Sequence, residues 1–331
     1  MPRSSRPLFD VITIGDAMLD LFFDIHEANL RCQKKPGSCL LCMEYGEKIP
    51  VQSVTKVVGA GNASNAAIGA KRLSMKSAIM TVIGKDDVAR DMINGWKKEG
   101  VNTSYVIHDP KHETSMAAVL QFQGDRTILL CNQPRLYKLP GLPTSRWIYY
   151  TALGPKHEAL EKQLLRYLKQ HPDTQLLFNP GPHQIRRGLK SLSPIIARTD
   201  VLVVNKEEAA HILAADSSPA GLIDGLLQQG AKQVVVTDGP EGSWAGDEMH
   251  IWNCPIFPGP IKERTGAGDS FATGVMYALS TGQTLPEALR YGTGNAWSVV
   301  QFVGPHAGLL SPARLLTILK KFKKIQPRMI R

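Results

Sequence analysis

The segment ERTGAGDSFATG, residues 263–274, decides how this sequence is interpreted. Three small residues, Gly266, Ala267 and Gly268, come directly before Asp269, and the residues that follow are typical of a helix. The first N–H groups of a helix have no intrahelical partner, and the helix dipole makes that end positive. Because small side chains let a ligand approach these amides closely, the segment predicts an anion hole with a carboxylate beside it.

A carboxylate beside an anion hole is typical of phosphoryl-transfer sites. Asp269 would take the proton from an attacking hydroxyl, while the amides of residues 266–268 stabilise charge on the moving phosphoryl group. The same pattern also describes an ordinary helix N-terminus that an aspartate caps. The spacing alone leaves both interpretations open.

Length and composition predict one large α/β domain, or such a domain carrying a small one. The chain has 331 residues, of which 43% are hydrophobic and 21% are charged. It contains no run of about 18 apolar residues and begins without the apolar core of a signal peptide. We therefore expect a cytoplasmic protein that does not contact membranes.

The net charge of the chain is +10. Part of it lies in the tail LKKFKKIQPRMIR, residues 319–331, which we interpret as a frayed helix end. No basic face with interleaved aromatic residues is apparent, so nucleic acid is not an expected partner. The charge equally suits anionic small ligands such as nucleotides.

The five cysteines are an odd number, which argues against a disulfide framework in a chain without a signal peptide. Cys39 and Cys42 form one C-x-x-C pair in a strand-like segment, and no second pair follows at zinc-ribbon spacing. A three-residue offset on a strand points side chains to opposite faces. Ordinary packing is therefore favoured for this pair, with metal or redox chemistry as the alternative.

The hydrophobic pattern predicts an α/β fold. In the second half of the chain, strands alternate with helices, which indicates a parallel sheet covered on both faces, an α/β/α sandwich. Two strand-rich segments, 17–57 and 104–131, interrupt the alternation, and the second resembles a hairpin with Gly124 and Asp125 at its turn. We expect them to form a small β lid that hinges over a large domain. That domain comprises residues 8–16, 58–103 and 132–331.

The segment RTGAGDSFATG resembles the C-terminal signature of the ribokinase/PfkB carbohydrate kinase family, usually written D-T-x-G-A-G-D. Other family signatures follow the same order along the chain, so the resemblance covers roughly residues 9–312. ITIGDAMLD resembles the family's first strand and implies that Asp20 binds the acceptor hydroxyls. GAGNASNAA resembles the G-G-x-x-x-N motif and implies that Gly61 and Asn65 lie at the acceptor.

The resemblance also implies residues on the nucleotide side. VVNKEEA resembles the N-x-x-E motif, so Asn205 and Glu208 would organise Mg²⁺ and phosphate, largely through water. VVVTDGPEG is similar to the family's nucleotide-contacting strand and loop and identifies Thr237 and Gly239. Asn295, in GTGNAWS, matches a family position near the adenine. A plain helix-capping interpretation of NKEE stays open.

The chain departs from the family pattern at several positions. Glu263 and Arg264 replace the usual Asp and Thr, which leaves K⁺ activation open. Ala60 stands where the G-G pair usually begins. Asn62 follows Gly61, where family members that act on sugar phosphates often have lysine, so an unphosphorylated acceptor is favoured.

The resemblance implies a ribokinase-like fold and an ATP-dependent, Mg²⁺-requiring kinase. We expect it to phosphorylate a hydroxymethyl group of a small sugar, as ribokinases and fructokinases do. A nucleoside of the adenosine or inosine/guanosine type is the alternative acceptor. Family members often form homodimers through the lid, but strand pairing at an edge cannot be predicted from this sequence.

Other classes of function fit the sequence less well. VVGAGNAS imitates the dinucleotide-binding pattern G-x-G-x-x-G, but Ser64 occupies the third glycine position. No P-loop motif occurs. A non-catalytic, nucleic-acid-binding protein on a kinase scaffold is a remote alternative, because Asp269 and the anion-hole glycines are all present.

Overall fold

The computed structural model describes residues 7–32, 39–123 and 125–331. Its centre is a nine-stranded sheet. From one edge to the other, the strands of this sheet are β6 (Ser77–Met80), β1 (Phe9–Ile14), β11 (Ser145–Tyr150), β12 (Gln175–Phe178), β13 (Val201–Asn205), β14 (Gln233–Thr237), β15 (Ser243–Gly246), β16 (Ile251–Cys254) and β17 (Arg328–Met329). Strands β6 to β14 of this order run parallel, and β15 to β17 are antiparallel.

Helices cover both faces of this sheet, which confirms the predicted α/β/α sandwich. They are α1 (Asn62–Arg72), α2 (Asp87–Glu99), α3 (Glu158–Gln170), α4 (Pro182–Ile185), α5 (Leu189–Ile196), α6 (Lys206–Leu213), α7 (Pro219–Leu227), α8 (Ala267–Ser280), α9 (Leu285–Val299) and α10 (Pro312–Lys321). Among the described residues, no helix is long and apolar enough to cross a membrane.

Each parallel strand contributes to two separate cores, because its alternate side chains point to opposite faces. Ile12 and Ile14 join the core formed with α3, α5, α6 and α7. Val11, the residue just before Ile12, joins the core formed with α1, α8, α9 and α10. This double burial explains why the strands are almost continuously apolar in sequence.

The last strands of the central sheet depart from the prediction. We expected a parallel sheet, but β15 and β16 follow β14 through short connections, residues 238–242 and 247–250, and turn back antiparallel. Connections this short cannot make the crossover that a parallel neighbour needs. The expectation of a frayed C-terminal tail was also wrong, because Arg328 and Met329 pair with β16.

A separate four-stranded sheet, which we call the lid, has the order β10-β9-β2-β5. Its strands are β2 (Met18–Ile25), β5 (Val51–Ala60), β9 (Met116–Phe122) and β10 (Asp125–Cys131), and all begin in the two strand-rich segments. The same segments contain a small pair, β3 (Asn29–Cys32) and β4 (Cys39–Cys42), and β8 (Ile107–His108), which pairs with β7 (Val82–Ile83) of the main domain. Gly124 of the predicted turn lies outside the described residues.

The cysteines correct one expectation. Cys32 and Cys39 are directly opposite in the antiparallel β3–β4 pair and form a disulfide. The argument against disulfides was therefore wrong for this pair, because strand register brings the two residues within bridging distance. Cys42 remains a free, half-buried thiol. No cluster of three or more metal-ligating side chains occurs in the described part of the chain.

Candidate active site

The candidate anion hole lies at the start of α8. Gly266 has a φ of +78°, and a β-carbon there would lie 2.4 Å from Pro305 Cβ, so only glycine fits this turn. The N–H of Ala267 bonds to the carbonyl of Arg264 at 3.2 Å. The N–H groups of Gly266 and Gly268 donate to no described residue. Two of the three predicted donors are therefore free to bind an anion.

Asp269 lies in the first turn of α8 and is only 6% exposed. Its two carboxylate oxygens accept hydrogen bonds from asparagines of α1: Asn62 Nδ2 at 2.9 Å and Asn65 Nδ2 at 2.8 Å. Burial raises the pKa of Asp269 to about 6, and the two hydrogen bonds oppose this rise. A carboxylate with this pKa is ionised at neutral pH yet basic enough to accept a proton, as a general base requires.

Asp20, on the lid strand β2, faces the same region. Its side chain is buried, and Oδ1 finds no hydrogen-bond partner among the described residues. Burial raises the pKa of Asp20 to about 7, with further contributions from the charges of Asp269 and Glu263. The three carboxylates are therefore close enough to interact electrostatically, although they come from three distant parts of the sequence.

Gly61 starts α1 and so positions the asparagines of that helix. Its φ is +92°, and a β-carbon there would lie 2.9 Å from both the Cα of Ala17 and the carbonyl oxygen of Asp16. The helix can begin this close to β1 only with glycine at residue 61. The structure brings Gly61 and Asn65 to the site as predicted, but the amide of Asn65 contacts Asp269.

The structure also brings in two residues that the sequence interpretation missed. The sequence interpretation noted Asn62 only because it stands where some family members have lysine, whereas its side chain donates a hydrogen bond to Asp269. Arg126 of the lid strand β10 has Nε 3.7 Å from Glu263 Oε1, and this buried Nε makes no hydrogen bond to a described residue. Glu263 Oε1 also accepts from the N–H and hydroxyl of Thr265 at 2.7 and 2.6 Å, while Oε2 is buried without a described partner.

A cavity of about 260 Å³ adjoins the start of α8. Thr237 and Gly239 line it, together with Gly268 of the anion hole, Arg264 and the indole of Trp297. Aromatic and apolar walls of this kind suit a flat nucleotide base. Trp297 is a cavity-lining residue that the sequence interpretation did not identify.

Asn295 does not line this cavity. It is fully buried, its Nδ2 donates to the carbonyl of Ser270 at 2.8 Å, and its Oδ1 accepts from the N–H of Leu310 at 3.4 Å. These contacts tie α9 to α8 and to the following loop. Within GTGNAWS, the tryptophan two residues later lines the cavity, whereas the asparagine does not.

Asn205 and Glu208 form a capping box at the start of α6. Asn205 Oδ1 accepts from the N–H of Glu208 at 2.8 Å, and Glu208 Oε2 accepts from the N–H of Asn205 at 2.9 Å. The helix-capping interpretation is thus present in the structure. Glu208 Oε1 has no described partner, and burial raises the pKa of this carboxyl, with a smaller contribution from Asp269. One free carboxylate oxygen fits Mg²⁺ held mainly by water and phosphate, not by a protein cage.

A helix N-terminus with free amides, a partly basic carboxylate and an adjoining base-sized cavity are together the parts of a phosphoryl-transfer site. The chain matches the sequence model of the pfkB family carbohydrate kinases over residues 13–311 and belongs to that family. It is therefore a phosphotransferase that uses ATP and an alcohol acceptor.

Known relatives share the fold but differ in their acceptors. An ATP-dependent 6-phosphofructokinase of Thermoanaerobacterium thermosaccharolyticum is 21% identical over 318 residues, covering 89% of each chain. A nucleoside kinase of Methanocaldococcus jannaschii is 25% identical over 321 residues, covering 95% of this chain and 97% of the relative. The solved structure of Arabidopsis thaliana ribokinase complexed with ribose and ATP has a TM-score of 0.76 at 19% identity, covering 96% of this chain and 99% of that one.

Proposed function

We propose that the protein transfers the terminal phosphoryl group of ATP to a hydroxymethyl group of a small, unphosphorylated sugar. The single observation that carries this proposal is the position of Asp269, whose carboxylate lies beside the free amides of Gly266 and Gly268. Asp269 takes the proton of the acceptor hydroxyl as its oxygen attacks the γ-phosphorus. The bond from phosphorus to the β,γ-bridging oxygen breaks, and ADP leaves.

The donor side is formed by the cavity and the anion hole. We assign ATP to the cavity lined by Thr237, Gly239 and Trp297, with its terminal phosphate at the amides of Gly266 and Gly268. Glu208 is the residue that would hold Mg²⁺, through water. When bound, the ion neutralises charge on the phosphates. Asn205 acts through Glu208, whose carboxylate it orients in the capping box.

The charges of the site support an acceptor without a phosphate group. Asp20, Glu263 and Asp269 surround the acceptor side, and Arg126 is the cation that the lid brings to Glu263. An additional phosphate would meet more negative than positive charge. Asn62, where a lysine would bind a phosphate, donates to Asp269 instead. A nucleoside is the alternative acceptor, because its sugar presents the same hydroxymethyl group.

The lid completes the proposed cycle. It carries Asp20, so we infer that the acceptor binds between the lid and the main domain, and that closure excludes water from the reacting phosphoryl group. The lid also exposes apolar side chains, among them Val54, Leu129 and Leu130, which favours a homodimer formed through it. We place the reaction in the cytoplasm, where ATP is made, and assign no nucleic-acid ligand.

A substrate screen tests the proposal. ADP release is measured with free sugars, nucleosides and sugar phosphates, each in K⁺ and in Na⁺ salts. We expect a free sugar to give the highest kcat/KM and its phosphate ester to be at least about tenfold poorer. The salt comparison determines whether K⁺ activates. A preference for a sugar phosphate or for a nucleoside would overturn the assigned acceptor. If none of the acceptor classes supported ADP release, the kinase assignment would be overturned.

A further inference from the structure

A hydrogen-bond chain runs from Asp269 to the imidazole of His306. Asn65 Nδ2 donates to Asp269 Oδ2 at 2.8 Å, and Asn65 Oδ1 lies 2.9 Å from His306 Nε2. Because an amide oxygen can only accept, His306 must carry its proton on Nε2 and donate it. An imidazole donor on one end of the amide determines that the NH₂ end faces Asp269.

His306 is itself held at a fixed place. The guanidinium of Arg72 donates to the main-chain carbonyl of His306. The same guanidinium donates to the two carboxylate oxygens of Glu99, from Nε at 3.0 Å and from Nη2 at 2.7 Å. The preceding residue, Pro305, packs against Gly266 of the anion hole, and a β-carbon on Gly304 would lie 3.0 Å from Val57 of the lid. The segment 304–306 therefore contacts Gly266 and the lid directly and is linked to Asp269 through Asn65.

We propose that His306 is a positioning residue for the phosphoryl transfer: its Nε2 proton fixes the orientation of the Asn65 amide, which in turn fixes the carboxylate of Asp269 toward the anion hole. The inference rests on the proposed function, because it gives Asp269 the role of the base. His306 contacts no reacting atom in this scheme and exchanges no proton with the substrate.

The charge state of His306 agrees with this role. Burial, followed by the charge of Arg72, lowers the pKa of His306 to about 4, while Glu99 opposes the shift. The ring is therefore neutral across the working pH range, and its single N–H can be committed to Asn65. The ionisable groups that face Asp269 are Asp20 from the lid, Glu208 from α6 and Tyr149 from β11.

Loss of the imidazole donor has a defined consequence. Without it, the Asn65 amide is free to turn its oxygen toward Asp269, and the carboxylate loses a hydrogen bond that lowers its pKa. The pKa of the base then rises, and kcat falls at a higher pH than in the wild-type enzyme. A residue that only supports packing would change the melting temperature but not the position of this acid limb.

The experiment compares the pH dependence of kcat in the wild-type enzyme, His306→Leu and His306→Gln. In the wild type, we expect kcat to fall below about pH 6, the pKa of Asp269. His306→Leu should move this limb upward by about 0.5–1 pH unit, the shift expected from one lost hydrogen bond, with KM for ATP unchanged. His306→Gln, whose amide can donate to Asn65, should restore the wild-type limb. If the leucine variant does not fold, His306→Met repeats the test, because methionine also lacks an N–H donor but has a longer, unbranched side chain.

An unmoved acid limb in both variants that lack the donor would overturn the inference, as would a glutamine variant that behaves like the leucine variant. Failure of the proposed function is distinguishable from these results. In that case, the wild-type enzyme itself would lack turnover with every sugar and nucleoside, before any His306 variant is made.

Discussion

The two sides of the site differ in how their polar groups are satisfied. On the α8 side, both carboxylate oxygens of Asp269 accept hydrogen bonds from α1, and the amide of Asn65 is bonded at both ends. On the side that faces the lid, Oδ1 of Asp20, Nε of Arg126 and Oε2 of Glu263 are buried without a described partner. One side is organised before any ligand binds, whereas the other has hydrogen-bonding capacity left over.

From this difference we infer which part of the site binds the acceptor. Buried polar groups in native proteins are nearly always paired, so three unpaired atoms on the side that faces the lid favour a ligand that pairs them. A hydroxyl-rich molecule can donate to the carboxylates and accept from the guanidinium at once. The preorganised side provides the base and the anion hole, which every acceptor would use in the same way.

The largest expected effect comes from the organised side. Asp269→Asn removes the base and also points a side-chain N–H toward the donors of Asn62 and Asn65. Turnover, measured as ADP release, should fall by at least about 100-fold, while direct titration shows ATP binding nearly unchanged. The matched control is Asp87→Asn, an 85% exposed aspartate at the start of another helix, which should keep wild-type turnover. Wild-type turnover in Asp269→Asn would remove this residue from the base role.

The lid side should respond in acceptor binding rather than in chemistry. Asp20→Ala deletes a carboxylate with an unpaired oxygen, so KM for the acceptor should rise by about tenfold or more. KM for ATP should stay within about twofold, because Asp20 does not line the cavity to which we assign the nucleotide. An unchanged acceptor KM would show that the acceptor binds elsewhere.

A smaller effect is expected where the two sides meet. Arg126→Gln removes the cation that joins the lid to Glu263 and should lower kcat/KM for the acceptor by roughly three- to tenfold. Arg90→Gln serves as the control, because Arg90 is 67% exposed and its ion-pair partner among the described residues is Asp87 in the same helix. Equal behaviour of the two variants would mean that the Arg126–Glu263 contact has no part in acceptor use.

The smallest expected effect is on stability. The pKa of Asp20 is about 7 in the folded protein, above its ordinary value of 3.8, so the folded state loses stability as pH rises between these values. Asp20→Asn removes this loss. Its free energy of unfolding should exceed that of the wild type by about 1 kcal/mol more at pH 8 than at pH 6. Thermal melts at both pH values check this, and a pH-independent difference would contradict the raised pKa.

Much of the organised side could be predicted from local sequence. The turn requires glycine at residue 266, Gly268 leaves open space beside its amide, and Asp269 follows at a fixed spacing, so one short segment contains the whole signal. The parallel strands were equally readable, because burial on both faces makes them continuously apolar. In both cases, the residues that show the sequence pattern are the same residues that form the structural feature.

The lid side could not be predicted in the same way. The pairing of Arg126 with Glu263 depends on how distant elements pack, and an arginine in a strand carries no signal of its own. The same holds for the contact of Asn65 with His306 on the α8 side. The Cys32–Cys39 disulfide depends on strand register, which the sequence of an exposed hairpin specifies weakly. Asn295 is the reverse case. Its position in a motif predicted a place near the adenine, but its side chain bonds the main chain of Ser270 and Leu310.

The most direct test of the central claim is a crystal structure of the protein with a non-hydrolysable ATP analogue and the best acceptor from the screen. We predict an acceptor hydroxyl oxygen within hydrogen-bond distance of the Asp269 carboxylate, roughly 2.6–3.2 Å, and terminal phosphate oxygens on the amides of Gly266 and Gly268. A terminal phosphate bound away from these amides, or an acceptor with no hydroxyl near Asp269, would contradict the account.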